Sequence, residues 1–168
     1  MGLFSLKIES LQQLFVRELR SLYDAEQQIT EALPKMIDKA TVSELKEALE
    51  EHLDVTEQQI TRLERIFGLL SEKVSRETNR GIKGIISEGS DLLSTGGERN
   101  VLDAGIIAAA QKVEHYEIAA YGTARTYAEL LGKTEVAQLL QETLDEEKDA
   151  DSTLSDIANS VNVEAKAA

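Results

Sequence analysis

Two glutamates interrupt otherwise apolar helical stripes. Glu26 falls between Leu19, Leu22 and Ile29, Leu33, and Glu117 falls between Ala110, Val113 and Ala120, Ala124. Spacings of three and four place both on the inward face of a helix. A carboxylate in that position is costly unless it is paired, hydrogen-bonded or bound to a cation. Two further helical stretches bring polar groups to a similar depth. The line from Leu49 meets His52, Thr56 and Gln59 before Leu63, and the line from Leu140 meets Thr143, Glu147 and Ala150 or Asp151 before Leu154, with Glu146 alongside. Carboxylates and imidazole converging from facing helices are how a metal centre is built into a bundle core. An oxygen-rich set with one or two imidazoles suits iron or manganese, whereas zinc more often takes sulfur and nitrogen. A dinuclear centre of this kind uses about four carboxylates, and Glu26, Glu114, Glu117 and either Glu146 or Glu147 can supply them.

Other polar residues have plainer readings. Glu18 and Glu31 stand near Arg17, Arg20 and Lys35 and read as solvated or salt-bridged. His115 is beside the core line rather than on it and reads as a surface histidine. Tyr23, Tyr116, Tyr121 and Tyr127 are packing residues first, although Tyr23 and Tyr121 can also hydrogen-bond a carboxylate. The run Asp145-Glu146-Glu147-Lys148-Asp149 is mostly a charged face, yet a helix cannot point every member outward.

The elements that must position these groups are all helical. The first helix is expected from Ile8 to Asp38, with Leu11, Phe15, Leu19, Leu22, Ile29, Leu33 and Met36 inward. Pro34 should bend it by removing a backbone donor and crowding the Thr30 carbonyl. Thr41 with Glu44 has the spacing of a capping box, opening a second helix that reaches about Leu70. Ser71 to Asn100 holds five glycines and one apolar segment, Ile82 to Leu93, fit for a short helix. A third helix is expected from Val101 to Leu131, ended by Gly132, and a fourth from Thr134 to Ala158. The tail, Asn159 to Ala168, is small and polar and is expected to be disordered.

A connection of this length between the second and third helices is too long for a tight turn. It can carry the chain from one end of a bundle to the other, joining two antiparallel hairpins by a single crossover. The expected fold is therefore all-α: a ferritin-like four-helix bundle over residues 3–158 whose crossover carries a short extra helix. The hairpins also superpose in sequence without a gap, Ser43 on Thr134, 91 residues apart (43 against 134), both read as N-caps. The same offset lays Glu26 on Glu117, Leu22 on Val113, Leu49 on Leu140 and Leu63 on Leu154.

The chain of 168 residues carries 18 Lys and Arg against 31 Asp and Glu, a net charge of −13. That balance disfavours nucleic acid, which is bound through basic side chains that release counterions. No apolar run is long enough to span a membrane. Met1 to Lys7 lacks a charged leader and an apolar stretch, and Leu6 stands where a myristoylation signal needs Ser or Thr, so neither device is expected. With no cysteine there is no disulfide or thiolate site, and the cytoplasm is the default location.

Beyond these patterns, the sequence resembles the YciE/YciF family of ferritin-like proteins. The matching stretches are Glu18 to Glu26 (ELRSLYDAE) with Ala32 to Met36, Glu51-His52-Leu53 through Arg62-Leu63-Glu64, Val113 to Gly122 (VEHYEIAAYG) and Leu144 to Lys148. The resemblance implies a relative of rubrerythrin and ferritin, often dimeric and linked with bacterial stress responses. It further implies a dinuclear iron or manganese centre between the helices, with Glu26, His52, Glu114, Glu117, Glu146 and Glu147 as the residues that would hold it. Such a centre handles dioxygen or peroxide in the manner of a peroxidase, catalase or ferroxidase, fed by an electron donor. The Glu-x-x-His spacing usual in ferritin-like di-iron proteins is absent, Glu114-x-x-Glu117 being the nearest echo, and Asp54 and Val55 follow His52-Leu53 where relatives often carry two acids. A second reading is a metal-free structural or interaction module, its interior acids neutralised by protons or by Lys112 and its apolar residues Ile82, Ile85 and Ile86 left free for self-association.

Overall fold

The computed structural model describes residues 7–168, in which five helices follow one another: α1 Leu11–Lys39, α2 Ser43–Leu69, α3 Arg80–Ser94, α4 Arg99–Leu130 and α5 Thr134–Ala167. Leu3, where the domain was expected to begin, and Met1 to Leu6, read as lacking a leader, lie outside the described residues. Among the described residues there is no strand, and no helix is long and apolar enough to cross a membrane. Helix α1 packs on α2 and α4, helix α5 on α4 and α2, and α3 lies against α1 and α4. Two antiparallel hairpins thus form a four-helix bundle, and the crossover lays its extra helix over the groove between the first helix of each hairpin.

The apolar core is split in two. One cluster gathers Phe15, Leu19, Leu22, Leu63, Phe67, Leu140 and Leu144 at one end; the other gathers Ile29, Leu33, Leu45, Leu49, Ile106, Val113 and Leu154 at the opposite end. Between them lies a buried polar layer containing Glu26, His52, Thr56, Gln59, Glu114, Glu117, Thr143 and Glu147. The apolar ends hold the helices at fixed spacing, so the layer is clamped from both sides.

The helix ends depart from expectation in three places. Val42, not Thr41, precedes the first turn of α2, and no side chain caps it. Thr41 instead gives both its N–H and its hydroxyl to the buried carboxylate of Asp103 on α4, at 2.8 and 2.5 Å. A buried acceptor that takes both the N–H and the hydroxyl is a stronger partner than a solvated helix end, so the capping box loses. Ser43 and Thr134 are first helical residues rather than caps, yet both hairpins still start their second helix at the same repeat position. The expected disordered tail is helical as far as Ala167, because Ile157 and Val161 extend the inward line of Leu154 and bury with it. Gly132 behaves as expected: at φ +68° it lets Lys133 N–H reach the Ala128 carbonyl at 2.8 Å and closes α4. Ser71 makes the same closure after α2 at φ 55°, without a glycine.

The crossover is pinned to α1 by a buried acid. Asp24 accepts from Arg76 Nε (2.8 Å), from the Asn79 backbone N–H (2.8 Å) and from Gln28 Nε2 (2.6 Å). Burial alone would raise its pKa, but the Asn79, Arg76 and Gln28 bonds outweigh it and hold the carboxyl below its ordinary value. Asp24→Ala leaves the Asn79 N–H without its acceptor in a buried place. We expect a loss of about 2–3 kcal/mol in urea unfolding; an unchanged midpoint would show that the crossover docks without it.

Candidate metal centre

Three helices supply the converging groups. His52 comes from α2, Glu114 and Glu117 from successive turns of one face of α4, and Glu147 from α5. One ligand atom from each of these four side chains lies within 4.8 Å of the others. His52 Nε2 stands 3.4 Å from Glu114 Oε1. Glu26 reaches the layer from α1 and is fully buried, with Tyr121 OH donating to its Oε1, but it is not one of the four.

Of the six residues expected at the site, four therefore converge, Glu26 adjoins them, and Glu146 stays at the rim with Arg62. Glu146 takes both guanidinium arms of Arg62, at 2.7 and 2.8 Å, and remains partly exposed. A two-pronged guanidinium pair at the rim holds it better than a layer already crowded with negative charge. Gln59 ties rim to centre, its amide donating to Glu146 Oε2 at 3.1 Å and to Glu147 Oε1 at 2.5 Å. Tyr121 makes the carboxylate contact considered for it, whereas Tyr23 bonds Glu64 at 2.8 Å and packs edge-on against Phe67, away from the site. His115 is a surface residue beside Asp151.

The hydrogen-bond ledger separates these acids from the rest. Asp24 and Asp103 are buried and partnered at both oxygens. In the polar layer, Glu26 Oε2, Glu114 Oε2, both oxygens of Glu117, Glu147 Oε2 and His52 Nε2 are buried and meet no N–H or hydroxyl donor; only protons shared between carboxyls, Glu26 with Glu117 and Glu114 with Glu147, can join them. Burial, reinforced by the nearby Glu147 charge, pushes Glu26 up to about 8 and holds Glu114 and Glu117 well above the ordinary carboxyl range. Burial likewise lowers His52, favouring neutral imidazole, and together with Glu26 raises the Tyr121 phenol well above its usual value. Without a cation, the layer holds protons that a cation would displace.

The buried Asp103 has a signal in the sequence, standing four residues before Ile107 and seven before Ala110 on the inward face of α4. Asp24 carried no such signal, since its partners Arg76 and Asn79 come from the crossover.

An all-helical bundle with one long crossover, whose midplane carries carboxylates from α1, α4 and α5, defines a ferritin-like protein. Within that class, the chain belongs to the YciE/YciF family, matching the family described as domain of unknown function DUF892 over residues 10–168. It is 40% identical over 163 residues to protein YciF of Escherichia coli strain K12, spanning 96% of this chain and 98% of the relative. The crystal structure of that E. coli stress protein superposes with a TM-score of 0.89 at 39% identity, covering 92% of this chain and 98% of its own. YcfI of Rhodopseudomonas palustris, provisionally described as a structural protein, gives 0.89 at 44% identity over 91% and 98% of the two chains. A protein of Xanthomonas campestris pv. campestris shares the fold alone, with a TM-score of 0.76 at 21% identity over 93% and 96% of the two chains.

Proposed function

We propose that this chain is a stress-associated metalloprotein whose interior binds iron or manganese, as a dinuclear centre, and handles dioxygen or peroxide. The observation that carries the reading is the set of orphaned buried atoms. Four side chains from three helices bring ligand atoms within 4.8 Å of one another, and five of their buried atoms meet no N–H or hydroxyl donor. A folded protein does not leave so many buried acceptors unsatisfied without a use for them. Three carboxylates and one imidazole are the donor chemistry of iron or manganese, so the residues present fit the group. His52, Glu114, Glu117 and Glu147 would hold one ion; Glu26, which adjoins Glu117, would bring the fourth carboxylate that a second ion needs. When bound, such ions supply the electrons that dioxygen or peroxide takes up.

The chain's own residues do the remainder. Tyr121 fixes one oxygen of Glu26, Gln59 fixes one oxygen of Glu147, and Arg62 holds Glu146 at the rim. The two apolar clusters exclude water above and below, so charge within the layer is felt strongly. The raised carboxyls supply the protonation that the metal-free module requires, but its other two supports are missing. Lys112 pairs with Glu88 at the surface rather than with the interior acids, Ile82 is buried, and Ile85 and Ile86 pack on the core.

The test is elemental analysis of protein produced with iron and manganese supplied. Wild type is expected to retain metal in stoichiometric amount, and Glu26→Ala and Glu117→Ala to lose most of it. Metal-free wild type, or unchanged content in both variants, refutes the assignment.

A further inference from the structure

The polar layer is open on one side. Between α2 and α5 lies a cavity of about 230 Å³, with His52 and Glu114 on its inner wall and the exposed Glu51 and Asp149 at its outer edge. Its width has a cause in the sequence. Ala150 occupies the repeat position of Gln59, 91 residues on (59 against 150), and where the Gln59 side chain fills its share of the interior, the Ala150 methyl leaves space.

An acidic rim means little by itself on a chain of net charge −13. What distinguishes this one is its inner wall: His52 Nε2 and Glu114 Oε2 are buried, unpartnered and belong to residues only 8% and 2% exposed. No Lys or Arg lines the cavity, and the third acid at its rim, Glu146, is already paired with Arg62, which leaves Glu51 and Asp149 as its free charges. Water takes roughly 30 Å³ in the liquid, so there is room for several molecules, the scale of a divalent ion with its inner hydration shell. On the opposite face, under α3, a second cavity reaches the same two residues, but it offers only about 40 Å³ behind Ile29, Leu33, Ile86 and Val113. A hydrated cation would have to shed its water against hydrocarbon there, at large cost.

We propose that the α2–α5 cavity is the port through which a hydrated divalent cation reaches the centre, Glu51 and Asp149 gathering it, Ala150 setting the aperture, and His52 and Glu114 giving it its first protein ligands. This rests on the metal-binding reading above. Opposite charge at a rim raises the rate of encounter more than the final affinity, and salt weakens it.

The test is stopped-flow uptake of cobalt(II) by the full chain, followed by its visible absorption. Ala150→Leu is expected to slow uptake about tenfold or more, and Glu51→Gln with Asp149→Asn to slow it several-fold and flatten its salt dependence, both with the wild-type amount bound at equilibrium. Ile86→Phe, on the α3 side, should load at the wild-type rate. Should Ala150→Leu fail to fold, the exposed double variant decides alone. Wild-type rates in the port variants, or slow loading in Ile86→Phe only, overturn the port while leaving the metal centre standing. A wild type that takes up no cobalt brings down the metal reading first and the port with it.

Discussion

Glu117→Gln is expected to make the metal-free protein more stable and to end its response to metal. Glu117 is 1% exposed, its oxygens meet no donor except a proton shared with Glu26, and Glu114 and Glu147 crowd it as well. Gln keeps the shape, carries no charge at any pH and brings two N–H donors to a layer rich in unsatisfied acceptors. Burial holds the Glu117 carboxyl protonated in the metal-free fold at a cost that grows with pH, and an amide of the same shape avoids that cost, a gain on the order of 1–3 kcal/mol near pH 8. For a chain of this length, that corresponds to a melting point about 2–10 °C higher in chelator. The wild type in turn gains about 3 kcal/mol from metal at a hundred times its dissociation constant, and the variant gains almost none. Calorimetry of both proteins, with chelator and with manganese(II), reads the two effects together. A variant less stable than wild type in chelator would mean that Glu117 has a structural partner and that the layer is no ligand set.

That opposition between stability and site explains which parts of the molecule were readable in advance. The helices were, because Leu19, Leu22, Ile29 and Leu33, like Leu49, Leu63, Leu140 and Leu154, repeat at spacings that have one structural solution. Glu26 and Glu117 were readable for the opposite reason: they break the repeat at equivalent positions, and a costly break needs a cause. His52, Glu114 and Glu147 lie at the same depth, but depth along a helix does not settle rotation. Glu146 and Glu147 are neighbours, and Arg62 on α2, distant in sequence, decides which faces outward. Thr41 was misread because a local motif competed with Asp103, more than sixty residues away. The helical tail follows the same logic in reverse: Val161 has poor local company and a buried tertiary contact.

The polar layer also implies an unusual stability profile, in which the metal-free protein weakens as pH rises from about 5 to 8. Glu26 has an ordinary carboxyl pKa near 4.5 when unfolded and about 8 when folded, burial being the main cause and the Glu147 charge the next. Between those values the folded chain holds a proton that the unfolded chain has released. Stability from Glu26 is therefore complete below pH 4.5 and is lost as pH climbs through 8. Glu114 and Glu117 shift the same way. His52 acts in the other direction: its lowered pKa keeps it neutral, so it withdraws stability as pH falls below 6.5, but it is one group against three. A full shift of this size at Glu26 alone is worth at most about 5 kcal/mol by linkage, and relaxation of the layer reduces it. A fall of roughly 5–10 °C in melting temperature between pH 5 and pH 8 is the expected result in chelator. With saturating manganese(II) the trend should flatten or reverse, because the cation replaces those protons and binds more tightly as they leave. Glu26→Gln should shrink the slope in chelator, since its amide does not titrate. A metal-free protein that instead gains stability steadily from pH 5 to 8 would show that these carboxyls ionise in the fold, solvated or paired, and that no cation is needed to hold them together.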